Sequence, residues 1–251
     1  MILDEILSRT KKRVACLPAV FPDPPRREPA SLSATIRNRN GRTAVIAEIK
    51  CASPSRGIIR RNVDMQMMAR TLVAGGCTAL SVLSEPHYFG GSIRDITRVA
   101  ESVEVPVLRK DFIIDRRQLD ETRSLGADAV LLIAAVLKDD LPAFADYALD
   151  AGLEPLVEVH TRGDAENALL TRATAIGINN RDLTTLTVDR STTRALSGGI
   201  RSAGRLVVSE SGMRSADDVR ELKPYCDAFL IGSSIMAHGE PAKKLEEFVC
   251  A

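Results

Sequence analysis

The sequence predicts an α/β protein, a single (β/α)8 TIM barrel with an N-terminal helical extension. Eight short runs rich in Val, Ile and Leu recur along the 251 residues, at 44–49, 79–83, 105–108, 129–133, 155–159, 175–179, 206–209 and 228–231. Each is followed by a polar or glycine-containing loop and then a stretch with helical spacing. Their starts lie 20 to 35 residues apart, close to what about 250 residues divided among eight strand–helix units require. The runs are nearly continuous in apolar residues rather than alternating, as parallel strands covered on both faces must be. No G-x-G-x-x-G follows the first run, which argues against an open dinucleotide-binding sheet.

The first strand starts only near Ala44. Before it stand an amphipathic helix over 2–14, a proline-rich link over 18–29 and a short helix over 31–37. These pieces are too small to bury a core of their own and are expected to pack on the barrel. The organisation read from this is one domain over 1–251, with the extension at 1–43 and the barrel at 44–251. Residues 65–74 carry apolar side chains at helical spacing and end at Gly75-Gly76, while Ser215-Ala-Asp-Asp opens another helix with a serine cap and acidic first turn. The run 129–137 is wholly apolar and reads as a buried strand leading into a loop. At nine residues it falls far short of the roughly 20 needed to span a bilayer.

Composition narrows the function. With 34 basic against 33 acidic residues, 45% hydrophobic and 27% charged, no long-range field draws a polyanion or an anionic membrane, so neither nucleic acid nor membrane is an expected partner. Tryptophan is absent and aromatics are 4%, which disfavours a base-stacking platform. The five cysteines are scattered, with no C-x-x-C pair, and there are three histidines, so no metal site is expected. The N-terminal Met-Ile-Leu-Asp-Glu lacks the basic and apolar regions of a signal peptide, and the expectation is a cytoplasmic protein.

Chemistry is concentrated at the strand ends. Glu48 and Lys50 lie on or just past the first run, Lys110 after the third, Glu158 on the fifth and Glu210 after the seventh. The C-terminal rim of a barrel is its active-site end. Alternation puts Ile46, Glu48 and Lys50 on one face and Val45, Ala47 and Ile49 on the other, which aims the charged pair into the mouth. Lysines beside carboxylates suit general acid and base steps. Asn179, Asn180 and Arg181 add donors at the same rim, the arginine suited to gripping a carboxylate or phosphate.

Ser211-Gly212 follows the seventh run, and Gly232-Ser233-Ser234 follows the eighth and opens a short helix over 235–238. Loops in these two places commonly hold phosphate in such barrels, so a small phosphorylated ligand is the expected partner. Phe89, near a bend at Gly90-Gly91, is a candidate apolar wall; Ser53 and Ser55 orient substrate or satisfy their loop. His160 reads as a structural or loop residue, with no other histidine near it in sequence.

Six motifs, in order, resemble the indole-3-glycerol-phosphate synthase family. They are Ala47-Glu-Ile-Lys-Cys-Ala-Ser-Pro-Ser, Leu108-Arg-Lys-Asp-Phe-Ile, Leu156-Val-Glu-Val-His, Ile176-Gly-Ile-Asn-Asn-Arg-Asp-Leu, Val208-Ser-Glu-Ser-Gly and Leu230-Ile-Gly-Ser-Ser. The resemblance implies closure of carboxyphenylamino-deoxyribulose phosphate to an indole, with loss of carbon dioxide and water, and no cofactor or metal. It implies Lys110 as general acid, Lys50 as partner of the substrate carboxylate, Glu158 as base in the dehydration, and Glu48 and Glu210 as holders of the lysines. Asn179 would bond a substrate hydroxyl, Arg181 and Ser53 would place the ligand, and Ser211, Gly212, Gly232 and Ser233 would take the phosphate. Cys51 stands where family members commonly carry arginine, and Ser84 where threonine is common; Cys51 is expected to alter local packing or affinity rather than chemistry.

Two other readings compete. In one, Lys110 or Lys50 forms a Schiff base with a keto-sugar phosphate, as in an aldolase. In the other the barrel binds a phosphorylated ligand without turnover. The sequence leaves monomer and homodimer open.

Overall fold

The eight apolar runs become eight parallel strands closed into a barrel in the computed structural model, which describes residues 2–24, 28–39 and 41–251. They are β1 (Ala44–Ile49), β2 (Ala79–Leu83), β3 (Val107–Lys110), β4 (Ala129–Ile133), β5 (Glu154–Val159), β6 (Ala175–Asn179), β7 (Leu206–Glu210) and β8 (Ala228–Ile231). Each pairs with the next, and β8 returns to β1 with Ala44 opposite Ala228. The outward set, including Val45, Ala47 and Ile49, joins the shell beneath the helices, and the inward set fills the barrel.

Register sorts the inward residues into layers of four, each drawn from alternate strands. Ala79, Ala129, Ala175 and Ala228 form one layer, followed above by Ile46, Leu108, Leu156 and Val208, then by Ser81, Leu131, Gly177 and Leu230. The next layer up is Glu48, Lys110, Glu158 and Glu210, one from each odd-numbered strand. The apolar layers thus carry a lid of four ionisable side chains at the C-terminal mouth.

Two strands run further than the sequence reading placed them. Charges at Arg109 and Lys110 argue against a strand there, and the reading ended this one at Leu108. It instead begins after Pro106, whose ring removes a ladder donor, and includes both charged residues. Arg109 is fully buried on the outer face, where it donates to Asp111 at 3.0 Å and to Ser84, Gln118 and Thr122, and pairs with Glu121 at 2.8 Å. β7 likewise ends on Glu210, one residue beyond the expected end. The segment expected to loop after β4 is a short helix, Ala134–Leu137, because its four apolar residues have buried faces on both sides of the turn to cover. The short helix after β8 is Ser233–Met236 rather than 235–238, so Gly232 caps it and both serines stand in its first turn.

The extension clasps both ends of the barrel. Helix α1 (Ile2–Ala15) lies at the mouth, where Arg13 pairs with Asp111 at 2.7 Å and Ile6 joins the interior cluster with Phe112. Helix α2 (Leu32–Arg37), capped by Ser31, buries Leu32 and Ile36 at the opposite end. There Ser33 N–H donates to Glu154 at 2.9 Å and Ala30 N–H to Asp128 at 2.9 Å, both at strand starts. Within the proline-rich link, residues 25–27 lie outside the described residues. Among the described residues no helix is long and apolar enough to cross a membrane.

Arg109→Leu is expected to lower stability by about 3–5 kcal/mol in urea unfolding, because Glu121 would keep a buried charge without its cation and Asp111 would keep only Arg13. An unchanged midpoint would show that the network does not hold β3 in place.

Candidate active site

A cavity of about 500 Å³ opens at the C-terminal mouth of the barrel. Its floor is the charged layer together with Lys50 and Asn179. Lys110 Nζ stands between two carboxylates, 3.1 Å from Glu158 Oε2 and 3.5 Å from Glu210 Oε2. Lys50 Nζ lies 2.5 Å from Glu48 Oε1. Asn179 Nδ2 donates to Glu158 Oε1 at 3.1 Å, and its Oδ1 accepts from the Arg181 backbone N–H at 3.0 Å. Glu48, Glu158 and Glu210 are each no more than 3% exposed.

Glycines make room for these carboxylates. A Cβ on Gly177, in the layer beneath, would fall 2.2 Å from Glu210 Oε1, and one on Gly232 would fall 2.5 Å from Glu48 Oε1. Backbone approach of this kind is why a strand interior carries glycine.

Three carboxylates share two ammoniums, and the proton affinities of Glu158 and Glu210 shift in opposite directions. Burial opposes ionisation of Glu158, yet Lys110, His160 and the Asn179 amide together hold its carboxyl below the usual range. Burial pushes Glu210 above that range; Lys110 opposes the shift, and the Glu158 and Glu48 carboxylates reinforce it. Among the described residues Glu210 Oε1 has no hydrogen-bond partner. Burial also works against a charged Lys110, but Glu158, Glu210 and Glu48 outweigh it and raise the lysine above its ordinary value. A lysine held this firmly protonated is a fixed cation and a poor Schiff-base nucleophile.

The walls divide by chemistry. Ile2, Leu3 and Ile6 of α1, with Phe89, Phe112 and Ile133, supply apolar surface, the two phenyl rings 6.3 Å apart. Arg56, Arg181 and Arg214 line the same cavity with Ser211, Gly212, Ser233 and Ser234. Burial, then the facing Arg56 and Arg214, lower the proton affinity of Arg181, as expected where cations converge without enough anions. Ser211 and Gly212 adopt φ of 65° and 93°, and a Cβ on Gly212 would meet Val188 at 2.9 Å. Ser53, 6% exposed, reaches the cavity from a small hairpin of Ala52–Ser53 and Gly57–Ile58.

Thirteen of the residues singled out from the sequence, Glu48, Lys50, Ser53, Phe89, Lys110, Glu158, Asn179, Arg181, Glu210, Ser211, Gly212, Gly232 and Ser233, border this one cavity. Asn180 does not. It turns beneath the rim, where Nδ2 donates to Ser209 and to the carbonyls of Glu210 and Ser211, and Oδ1 accepts from Thr193. Its role is to fix the loop that carries Ser211. Cys51 lies off the cavity near Gly90, and its carbonyl accepts the N–H groups of Ile59 and Arg60. Ser84 is buried and donates to Asp111 at 2.6 Å. Sequence reasoning missed Arg56, Arg214, Phe112 and the three α1 side chains. The loop arginines belong to no periodic pattern, but the amphipathic face of α1 was a visible signal.

Glu210 and Glu158 give opposite pH dependences. A carboxyl whose folded value is raised contributes stability that is complete below the ordinary carboxylate pKa and lost as pH rises through the raised value. Glu158, with its value lowered, contributes stability that is present above the ordinary pKa and lost as pH falls through the lowered one. Carbon-13 NMR of labelled glutamate should show one carboxyl titrating above the ordinary range and missing from Glu210→Gln. Absence of that resonance in the parent protein would refute the assignment.

A family model of indole-3-glycerol phosphate synthase matches residues 3–248. An indole-3-glycerol phosphate synthase from Methanocaldococcus jannaschii is 40% identical over 99% of this chain and 98% of its own length. One from Caldanaerobacter subterraneus subsp. tengcongensis is 42% identical over 99% and 98%. Among solved structures, the tryptophan synthase alpha chain from Legionella pneumophila aligns with a TM-score of 0.62 at 11% identity, covering 86% of this chain and 95% of that one. Thiamine phosphate pyrophosphorylase from Pyrococcus furiosus aligns at 0.61 and 19% identity, over 85% and 95%. At such identities the structural likenesses speak for the barrel alone, but the match in sequence covers nearly the whole chain. The chain belongs to the indole-3-glycerol phosphate synthase family.

Proposed function

We propose that this chain closes carboxyphenylamino-deoxyribulose phosphate to indole-3-glycerol phosphate, by general acid and base catalysis from the charged layer. The observation that carries the mechanism is the Lys110 ammonium held between Glu158 and Glu210 on the cavity floor. When the ring carbon bearing the carboxylate attacks the ribulose carbonyl, aromaticity is broken and negative charge grows on the carbonyl oxygen. Lys110 donates its proton there, in a buried site where a fixed cation acts strongly. Lys50 meets the substrate carboxylate until carbon dioxide leaves and the electron pair restores the aromatic ring. The hydroxyl then departs as water with a proton from Lys50, while Glu158 takes a proton from the neighbouring carbon.

Glu48 orients Lys50, and Glu210 orients Lys110. Asn179 spends one amide hydrogen on Glu158 and has a second for a substrate hydroxyl. Ser211, Gly212, Gly232 and Ser233 take the phosphate, Arg181 and Ser53 place the ligand, and Phe89 covers its ring. Arg56 and Arg214 join this set as further cations on the same wall.

Purified protein mixed with the substrate, with chelator present, should generate indole fluorescence. Silence from folded protein, beside an active reference synthase, would overturn the proposal. Lys110→Ala should lower kcat by roughly 10²–10⁴, the usual contribution of a positioned acid. Glu158→Gln should slow dehydration more than ring closure, so rapid quench should catch an accumulating ring-closed, decarboxylated alcohol. If none accumulates while turnover falls, Glu158 is not the dehydration base.

A further inference from the structure

Two protons are given up by the enzyme in the proposed sequence, one to the ring-closure oxygen and one to the departing hydroxyl, and Glu158 collects one. The net uptake of one proton offsets the negative charge lost when the substrate carboxylate leaves as neutral carbon dioxide; that proton leaves in the water. To act as a base again, Glu158 must lose the proton it collects before the next turnover, yet its side chain is 2% exposed. Its Oε2 faces Lys110, and its Oε1 faces the Asn179 amide, which carries no exchangeable charge.

One titratable group touches the Oε1 side. His160 Nε2 lies 3.3 Å from Glu158 Oε1, two residues further along the chain just past β5. The imidazole is nearly buried, 11% exposed, and neither ring nitrogen has a well-aligned hydrogen-bond partner. A buried polar ring left this way costs stability and calls for an explanation. His160 does not line the cavity, so it has no direct hold on substrate. The acidic groups around it are Glu158 on its own strand, Asp164 on the helix Arg162–Leu169, which accepts the His160 backbone N–H at 3.1 Å, and Asp182 on the loop after β6. Asp182 is solvent-exposed.

We propose that His160 is the proton partner of Glu158, a positioning residue that takes over the proton that the carboxyl collects during dehydration. The proton moves from Glu158 Oε1 to His160 Nε2, no other bond forms or breaks, and the imidazolium faces Glu158 and the Asp182 loop until it releases the proton to solvent. Imidazole is the side chain suited to this, because its charge ordinarily changes near neutral pH. This inference rests on Glu158 as base.

The test is His160→Gln, which keeps an amide to hold Glu158 but cannot carry a proton. We expect kcat to fall about tenfold or more with KM unchanged, the pH profile to lose one limb, and added imidazole to restore turnover in part. Wild-type kcat across the whole pH range would overturn the proposal, as would a fall that imidazole does not relieve. If the variant does not fold, nitrogen-15 NMR of labelled histidine in the parent protein decides: the His160 titration should move in Glu158→Gln, and an unmoved titration overturns the coupling. Failure of the underlying reading is separate, since it would appear as full activity in Glu158→Gln.

Discussion

The placement of a lysine ammonium inside a barrel, between two carboxylates, is the constraint on which the rest of the structure depends. Taking such ions out of water is expensive, and removing any one partner leaves its neighbours uncompensated. The barrel meets that cost by dedicating a complete layer to it. Glu48, Lys110, Glu158 and Glu210 come from alternate strands, so closure of the barrel itself brings them to one height. Residues far apart in sequence thereby become neighbours without a loop having to carry them. The apolar layers below exclude water from beneath the charges and make every interaction among them stronger.

That layer explains features with no other evident purpose. Gly177 in the middle of β6 would weaken a strand, yet a side chain there would collide with the Glu210 carboxylate. Arg109, next to Lys110 and facing outward, is tied to Asp111 and Glu121, and Asp111 is tied to Arg13 of α1. Strand β3 is thus pinned from behind while Lys110 points to the centre. The same chain of ion pairs fastens the helix whose Ile2, Leu3 and Ile6 border the cavity, so the extension belongs to the site as well as to the barrel.

The barrel and its charged mouth were legible because both follow from period and position. Buried parallel strands are apolar throughout, and a Glu or Lys at the end of such a run stands out. Legibility failed where tertiary partners override local pattern. Arg109-Lys110 reads as the end of a strand until Asp111, Glu121 and the helix behind them supply a buried partner set. Asn179 and Asn180 look alike in sequence, but one ends β6 facing inward and the next turns under the rim, a distinction that only the paired loop of Ser209 to Ser211 determines. Arg56 and Arg214 sit in loops, where no periodicity says which way a side chain points. His160 was read as a bland loop residue because no other histidine lies near it in sequence, although alternation already puts it on the same strand face as Glu158.

The division of cations within the cavity has a chemical logic. A guanidinium keeps its proton under all ordinary conditions and presents a fixed fork of donors, whereas an ammonium can give a proton up when its surroundings change. Three arginines and no lysine stand among the serine and glycine residues suited to phosphate, a group to be held unchanged through the reaction. The two lysines stand beside carboxylates, where the proposed mechanism moves its protons. Exchanging the two types would leave the net charge of the cavity the same and spoil both tasks. An arginine in place of Lys110 would have no proton to give to an oxyanion, and a lysine in place of Arg181 would offer a ligand anion one point of attachment where a fork offers two. Charge alone therefore does not describe this site; which cation can part with its proton does.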